Sequence, residues 1–138
     1  MQAATASYLL NHSRVRQALE QAWLNSLSAD PARRHEEGGW IYMDTTTGVI
    51  SVRPATSGAR AALDLTTPPV VPGSVVVATF HTHPNPVDEG WDPGPSAEDT
   101  QSAQLLGVPC FIRAEDGIHV TGPDSRRGGL GGGPGFPE

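Results

Sequence analysis

The sequence predicts an α/β fold, a single mixed β-sheet flanked by helices. Three observations carry this expectation. An amphipathic helical stretch lies near the start of the chain, a valine-rich strand occupies the middle, and a capped helix followed by a second hairpin closes the pattern. The order helix, hairpin, strand, helix, hairpin is what a sheet covered by helices requires. A length of 138 residues suits one domain with one hydrophobic core. We place that domain at residues 1–122 and read 123–138, rich in Gly, Pro and Arg, as a flexible tail.

The first ten residues have no clear pattern and are expected to be loose. Ser13 offers an N-cap, and Val15, Leu19, Trp23 and Leu27 recur at i, i+4 as an apolar stripe. Asp30-Pro31 ends the stretch. Trp40 to Met43 and Val49 to Arg53 flank the turn cluster Asp44-Thr45-Thr46-Thr47-Gly48, which predicts a hairpin. Residues 54–73 form a connection with a short apolar patch at Ala61, Ala62, Leu63 and Leu65. Ser74 to Phe80 is the strongest strand, and its three consecutive valines predict burial on both faces. After the loop Asn85 to Pro95, Ser96 opens a helix that Gly107 ends. Cys110 to Arg113 and Ile118 to Thr121 bracket an Asp-Gly turn signal, a second hairpin.

Bulk properties exclude several functions. The net charge is −6 and all nine basic residues are arginines without an extended stripe, so nucleic acid is not an expected partner. The longest apolar run, Val75-Val76-Val77-Ala78, is far too short to span a bilayer, and MQAATASYLL has no basic region of a signal peptide. The expectation is a cytoplasmic protein with no membrane partner. The one cysteine, Cys110, allows no intramolecular disulfide and reads as a small core residue of a strand.

The chemistry concentrates in two segments. His81 and His83 stand two apart at a strand end, so both imidazoles project from one face. Imidazole is a common zinc ligand. Pro95-Ser96-Ala97-Glu98-Asp99 has the form of a capping box, which places a carboxylate in a helix's first turn. Two histidines plus one carboxylate, with a fourth position open, describe a catalytic zinc site. Such a site needs a base, and Glu36 and Glu37 precede a strand at Gly38-Gly39.

Together these residues resemble the JAMM motif of JAB/MPN-domain zinc metalloproteases: an upstream Glu, then H-[ST]-H-P, then S-x-x-D. The matching residues are Glu36, His81-Thr82-His83-Pro84 and Ser96-Ala97-Glu98-Asp99. Glu36 stands three residues before Gly39, as the family's glutamate does, which favours it over Glu37. The resemblance runs from the first helix through the second hairpin. It implies a JAB/MPN (cytidine-deaminase-like) architecture and Zn²⁺ held by His81, His83 and Asp99. It further implies Glu36 as proton carrier, Ser96 as oxyanion donor, and hydrolysis of a peptide or isopeptide amide, in a ubiquitin-like or other protein conjugate. The stretch between His83 and Ser96 is longer than the family's usual spacing and resembles an extended bacterial JAB-like variant, some members of which are associated with polymorphic toxins. Trp91 in that loop is a candidate substrate contact or a loop anchor, and Asp88 and Asp92 are rival carboxylates. Two further readings stand beside the peptidase: a non-catalytic MPN-like scaffold, and a toxin-associated zinc hydrolase acting on another substrate. A deaminase is disfavoured because its H-x-E and P-C-x-x-C signature is absent. His12, His35 and His119 carry no assigned role. Arg126-Arg127-Gly128-Gly129 looks like the end of a ubiquitin-like protein but is read as part of the tail.

Overall fold

The computed structural model describes residues 4–56, 58 and 63–129. Among the described residues five strands form one mixed sheet in the order β2-β1-β3-β4-β5. These are β1 (Gly38–Asp44), β2 (Ile50–Pro54), β3 (Ser74–His83), β4 (Cys110–Ala114) and β5 (Gly117–Thr121). All neighbouring pairs are antiparallel except β3 and β4. That parallel pair needs a crossover, which helix α3 (Ala97–Leu106) supplies. The crossover sends the chain from the end of β3 through a loop to the start of α3, so the strand end and the helix start are brought near each other. The α/β expectation and both hairpins therefore match the described architecture.

Two findings correct the reading of the N-terminal region. Residues 4–10 are not loose: α1 (Ala6–Leu10) is capped by Thr5, whose Oγ1 accepts the Tyr8 N–H, and Ala4, Ala6 and Leu9 enter the core. Helix α2 (Ser13–Asn25) is capped by His12 rather than Ser13, the His12 ring nitrogen accepting the Arg14 N–H at 3.1 Å. The buried face of α2 is Val15, Leu19 and Ala22. Trp23 lies at its rim beneath the Arg113 guanidinium, and Leu27 is exposed. Steps of four residues advance about 40° beyond a full turn each time, so a strict i, i+4 series walks off the apolar face.

The main core joins α1 and α2 to Ile41, Met43, Val77, Phe80 and Phe111 on one face of the sheet. The opposite face carries Trp40, Tyr42 and Leu65 near the β1 side and Ala103 of α3 on Cys110 and Ile112. Trp40 Nε1 donates to the Leu65 carbonyl and Tyr42 Oη to that of Pro69, so residues 65 and 69 are tied to β1 by polar side chains. Val75 and Val76 are only partly buried and Val77 is fully so, which is less than the expected burial of all three. Ala61 and Ala62 of the apolar patch lie outside the described residues. After β5, the Asp124 carbonyl accepts the Ala6 N–H and the Arg127 N–H donates to the Gly107 carbonyl. Residues 130–138 of the proposed tail lie outside the described residues. Among the described residues no helix is long and apolar enough to cross a membrane.

Candidate metal centre

Phe80 packs into the α1/α2 core, so pleating turns His81 and His83 to the other face, toward α3. Their rings lie 5.0 Å apart centre to centre, and the two Nε2 atoms are 3.2 Å apart. Asp99 reaches them from the first turn of α3. Its Oδ1 lies 3.1 Å from His81 Nε2 and its Oδ2 lies 3.1 Å from His83 Nε2. The capping box holds this carboxylate in place. Ser96 Oγ accepts the Asp99 N–H and the Ser96 N–H donates to Asp99 Oδ2, both at 3.0 Å. The cap thus also turns the Asp99 carboxylate toward the two imidazoles.

This donor set could hold a metal ion, and two imidazoles with one carboxylate are ligands of the kind zinc takes. Each residue offers one ligand atom and the three lie within 4.8 Å of one another, with the two Nε2 atoms 3.2 Å apart. His81, His83 and Asp99 could hold a metal ion as one group, and it is the group of this kind found among the described residues. Asp88 and Asp92 are not in it. Asp92 instead accepts the Gly94 N–H at 2.8 Å.

Glu36 enters the same site by a different route. Gly38 pairs with His81, and a Cβ at Gly38 would stand 2.2 Å from the Phe80 carbonyl oxygen. On the other side, a Cβ at Gly39 would stand 2.2 Å from the Arg53 carbonyl oxygen. Only glycines let β1 enter between β2 and β3 this closely. Thr82, between the two histidines and fully buried, clips the preceding segment: its N–H donates to the Glu37 carbonyl at 2.9 Å and its Oγ1 accepts the Glu37 N–H at 3.1 Å. The Glu36 carbonyl accepts the Gly58 N–H. Glu36 is 6% exposed and lines a cavity of about 260 Å³ with His83, Asn85, Trp91, Ser96 and Asp99. Glu37 does not. It pairs with His35 Nε2 at 2.5 Å and lines a separate, larger hollow beside α2, which lacks the paired imidazoles.

Electrostatics follow from burial. Burial pushes the Glu36 carboxyl up to about 7, and Asp99 adds to this while His81 and His83 oppose it. Burial alone would lower His81, but hydrogen bonds to Asp99 and Cys110 outweigh it and raise the ring to about 10. Burial likewise opposes ionisation of Asp99, yet the two imidazoles hold its carboxyl far below the ordinary carboxylate range. The residues sequence reasoning left out are partners of these. Cys110 is a buried core residue, as expected, and its Sγ also lies 3.6 Å from His81 Nδ1. Thr82 and Asn85, both buried, had no local signal beyond their place next to the histidines. His12 caps α2, and His119 pairs with Asp116 at the turn of the second hairpin.

Comparison with protein-family models, with curated proteins and with solved structures gives no match.

Proposed function

We propose that this chain is a JAMM-type zinc metallopeptidase of the JAB/MPN kind that hydrolyses a peptide or isopeptide bond, with a ubiquitin-like or other protein conjugate as substrate. The observation that carries the reading is the burial of Glu36 in one cavity with His83, Ser96 and Asp99. A metal-binding group alone is compatible with a structural site. A carboxylate drawn in from a distant segment at the cost of desolvation is a mark of chemistry.

His81, His83 and Asp99 would hold the ion. Zinc there supplies a Lewis acid and lowers the pKa of a water to about 7. Glu36 takes the proton of the attacking water. Its carboxyl lies in one cavity with His83, Ser96 and Asp99, placed to accept a proton there and to return it. It then delivers the proton to the leaving nitrogen, and the amide C–N bond breaks to give a carboxylate and an amine. Ser96 Oγ accepts the Asp99 N–H and keeps its own hydroxyl proton for the substrate's carbonyl oxygen as negative charge develops there. Loss of one such donor typically costs about 10²–10³ in kcat.

The test pairs metal analysis with hydrolysis of a panel of fluorogenic peptides and ubiquitin-like fusions. Glu36→Gln is expected to retain zinc and lose hydrolysis, and His83→Ala to lose both. Zinc held by His83→Ala as tightly as by the parent protein would refute the ligand set. Full hydrolysis by Glu36→Gln would refute the proton carrier.

A further inference from the structure

The loop 85–95 has a half-buried tie that the site chemistry does not use. Arg34 lies two residues before Glu36, and its side chain is 4% exposed. Its Nη1 donates to both carboxylate oxygens of Glu89 at 3.2 Å, across 55 residues of sequence. Glu89 ends the 3-10 turn Val87–Glu89, and Gly90, at φ +88°, redirects the chain into Trp91. Trp91 then lines the cavity that holds Glu36, His83 and Asp99. An exposed ion pair would fix little. Here the guanidinium is interior, and its buried Nε has no hydrogen-bond partner among the described residues. The Glu89 side chain is 40% exposed, so the pair is half-buried, and its hold on the loop comes from the interior guanidinium, which would lose this carboxylate if the loop opened.

We propose that Arg34 and Glu89 are positioning residues that hold Trp91 as a fixed wall of the substrate cavity, making the long loop the specificity element of the site. This rests on the peptidase reading for its kinetic consequence but not for its structural one. The clamp joins the segment that carries Glu36 to the loop that carries Trp91, so the base and the wall keep one spacing. An ordered wall meets substrate without first having to lose the freedom of a long loop, and that advantage appears in binding.

Two variants test it. Glu89→Gln keeps the shape and removes the charge. Arg34→Met/Glu89→Leu removes the clamp without leaving a buried charge, which guards against simple misfolding. Hydrogen–deuterium exchange is read on the purified full chain. Segment 86–92 is expected to exchange about tenfold faster in both variants, with the centre of β3 unchanged. On the best-cleaved peptide of the panel, KM is expected to rise about tenfold with kcat within about twofold of the parent. Trp91→Ala is expected to give the same KM change and to add nothing to the double variant. Unchanged exchange of the loop in both variants overturns the clamp. A Trp91→Ala effect that adds in full to that of the double variant overturns its action through Trp91. If the parent protein cleaves no member of the panel, the peptidase reading fails while the exchange result still decides the clamp.

Discussion

Replacing Glu36 by Gln should stabilise the metal-free protein, and should do so only above the acid range. The carboxyl has an ordinary value of 4.5 and is pushed up to about 7 by burial in the folded state. Below 4.5 it is neutral in both states and contributes no pH-dependent difference. Between 4.5 and about 7 the folded chain keeps a proton that the unfolded chain releases, so stability falls as pH rises through this window. Above about 7 the full penalty is present, and a shift of this size corresponds to about 3 kcal/mol. That is a large share of the about 5–15 kcal/mol that holds a domain folded. Gln fills nearly the same space without a charge. Urea unfolding of both proteins in chelator, at about pH 4.5 and about pH 8, reads the effect together with the response of His81, His83 and Asp99, which face Glu36. The expected gain of Glu36→Gln over the parent is about 3 kcal/mol larger at the higher pH. A difference that does not change with pH would mean that the carboxyl is solvated and not drawn into the metal cavity.

Two further outcomes follow from the same geometry. Thr82→Val removes the acceptor of the Glu37 N–H and should cost about 1 kcal/mol in chemical denaturation, the net contribution of one hydrogen bond. Since Thr82 holds the segment that carries Glu36, kcat should fall while zinc content stays at the parent level. A parent-like kcat would free Glu36 from dependence on this clip. Zinc affinity should rise with pH. His81 without metal keeps its proton up to about 10, so its ion pair with Asp99 is complete below the ordinary histidine value of 6.5 and is lost as pH rises through about 10. Binding must expel at least that proton, and competition titrations between about pH 6 and pH 8 should show about a tenfold gain in affinity per pH unit. An affinity independent of pH would mean that the ring is already neutral.

Much of the site is legible in the sequence because its parts obey local rules. Residues two apart on a strand share a face, which gives His81 and His83. A capping box fixes a carboxylate against a helix start, which gives Ser96 and Asp99. The Gly38-Gly39 pair marks a close backbone approach, and Glu36 precedes it. What escaped is either too short or too distant. Helix α1 has five residues and therefore no periodicity to read, and its burial comes from Ala4, Ala6 and Leu9. A histidine cap in place of the expected serine uses a ring nitrogen as acceptor, which propensity rules do not rank. The pairs Arg34–Glu89 and His81–Cys110 connect residues 55 and 29 apart, and nothing local in either partner names the other. The convergence of Glu36 with His83, Ser96 and Asp99 in one cavity is of the same kind, and pattern matching alone links them in the sequence.

X-ray absorption at the zinc edge of the loaded protein tests the centre most directly. Two imidazoles and only nitrogen or oxygen neighbours at about 2.0–2.1 Å are expected, with one zinc per chain. Cys110 stands beside His81 Nδ1, away from the Nε2 that faces Asp99. A sulfur neighbour at about 2.3 Å, or zinc retained without imidazole scattering, would contradict a centre built by His81, His83 and Asp99.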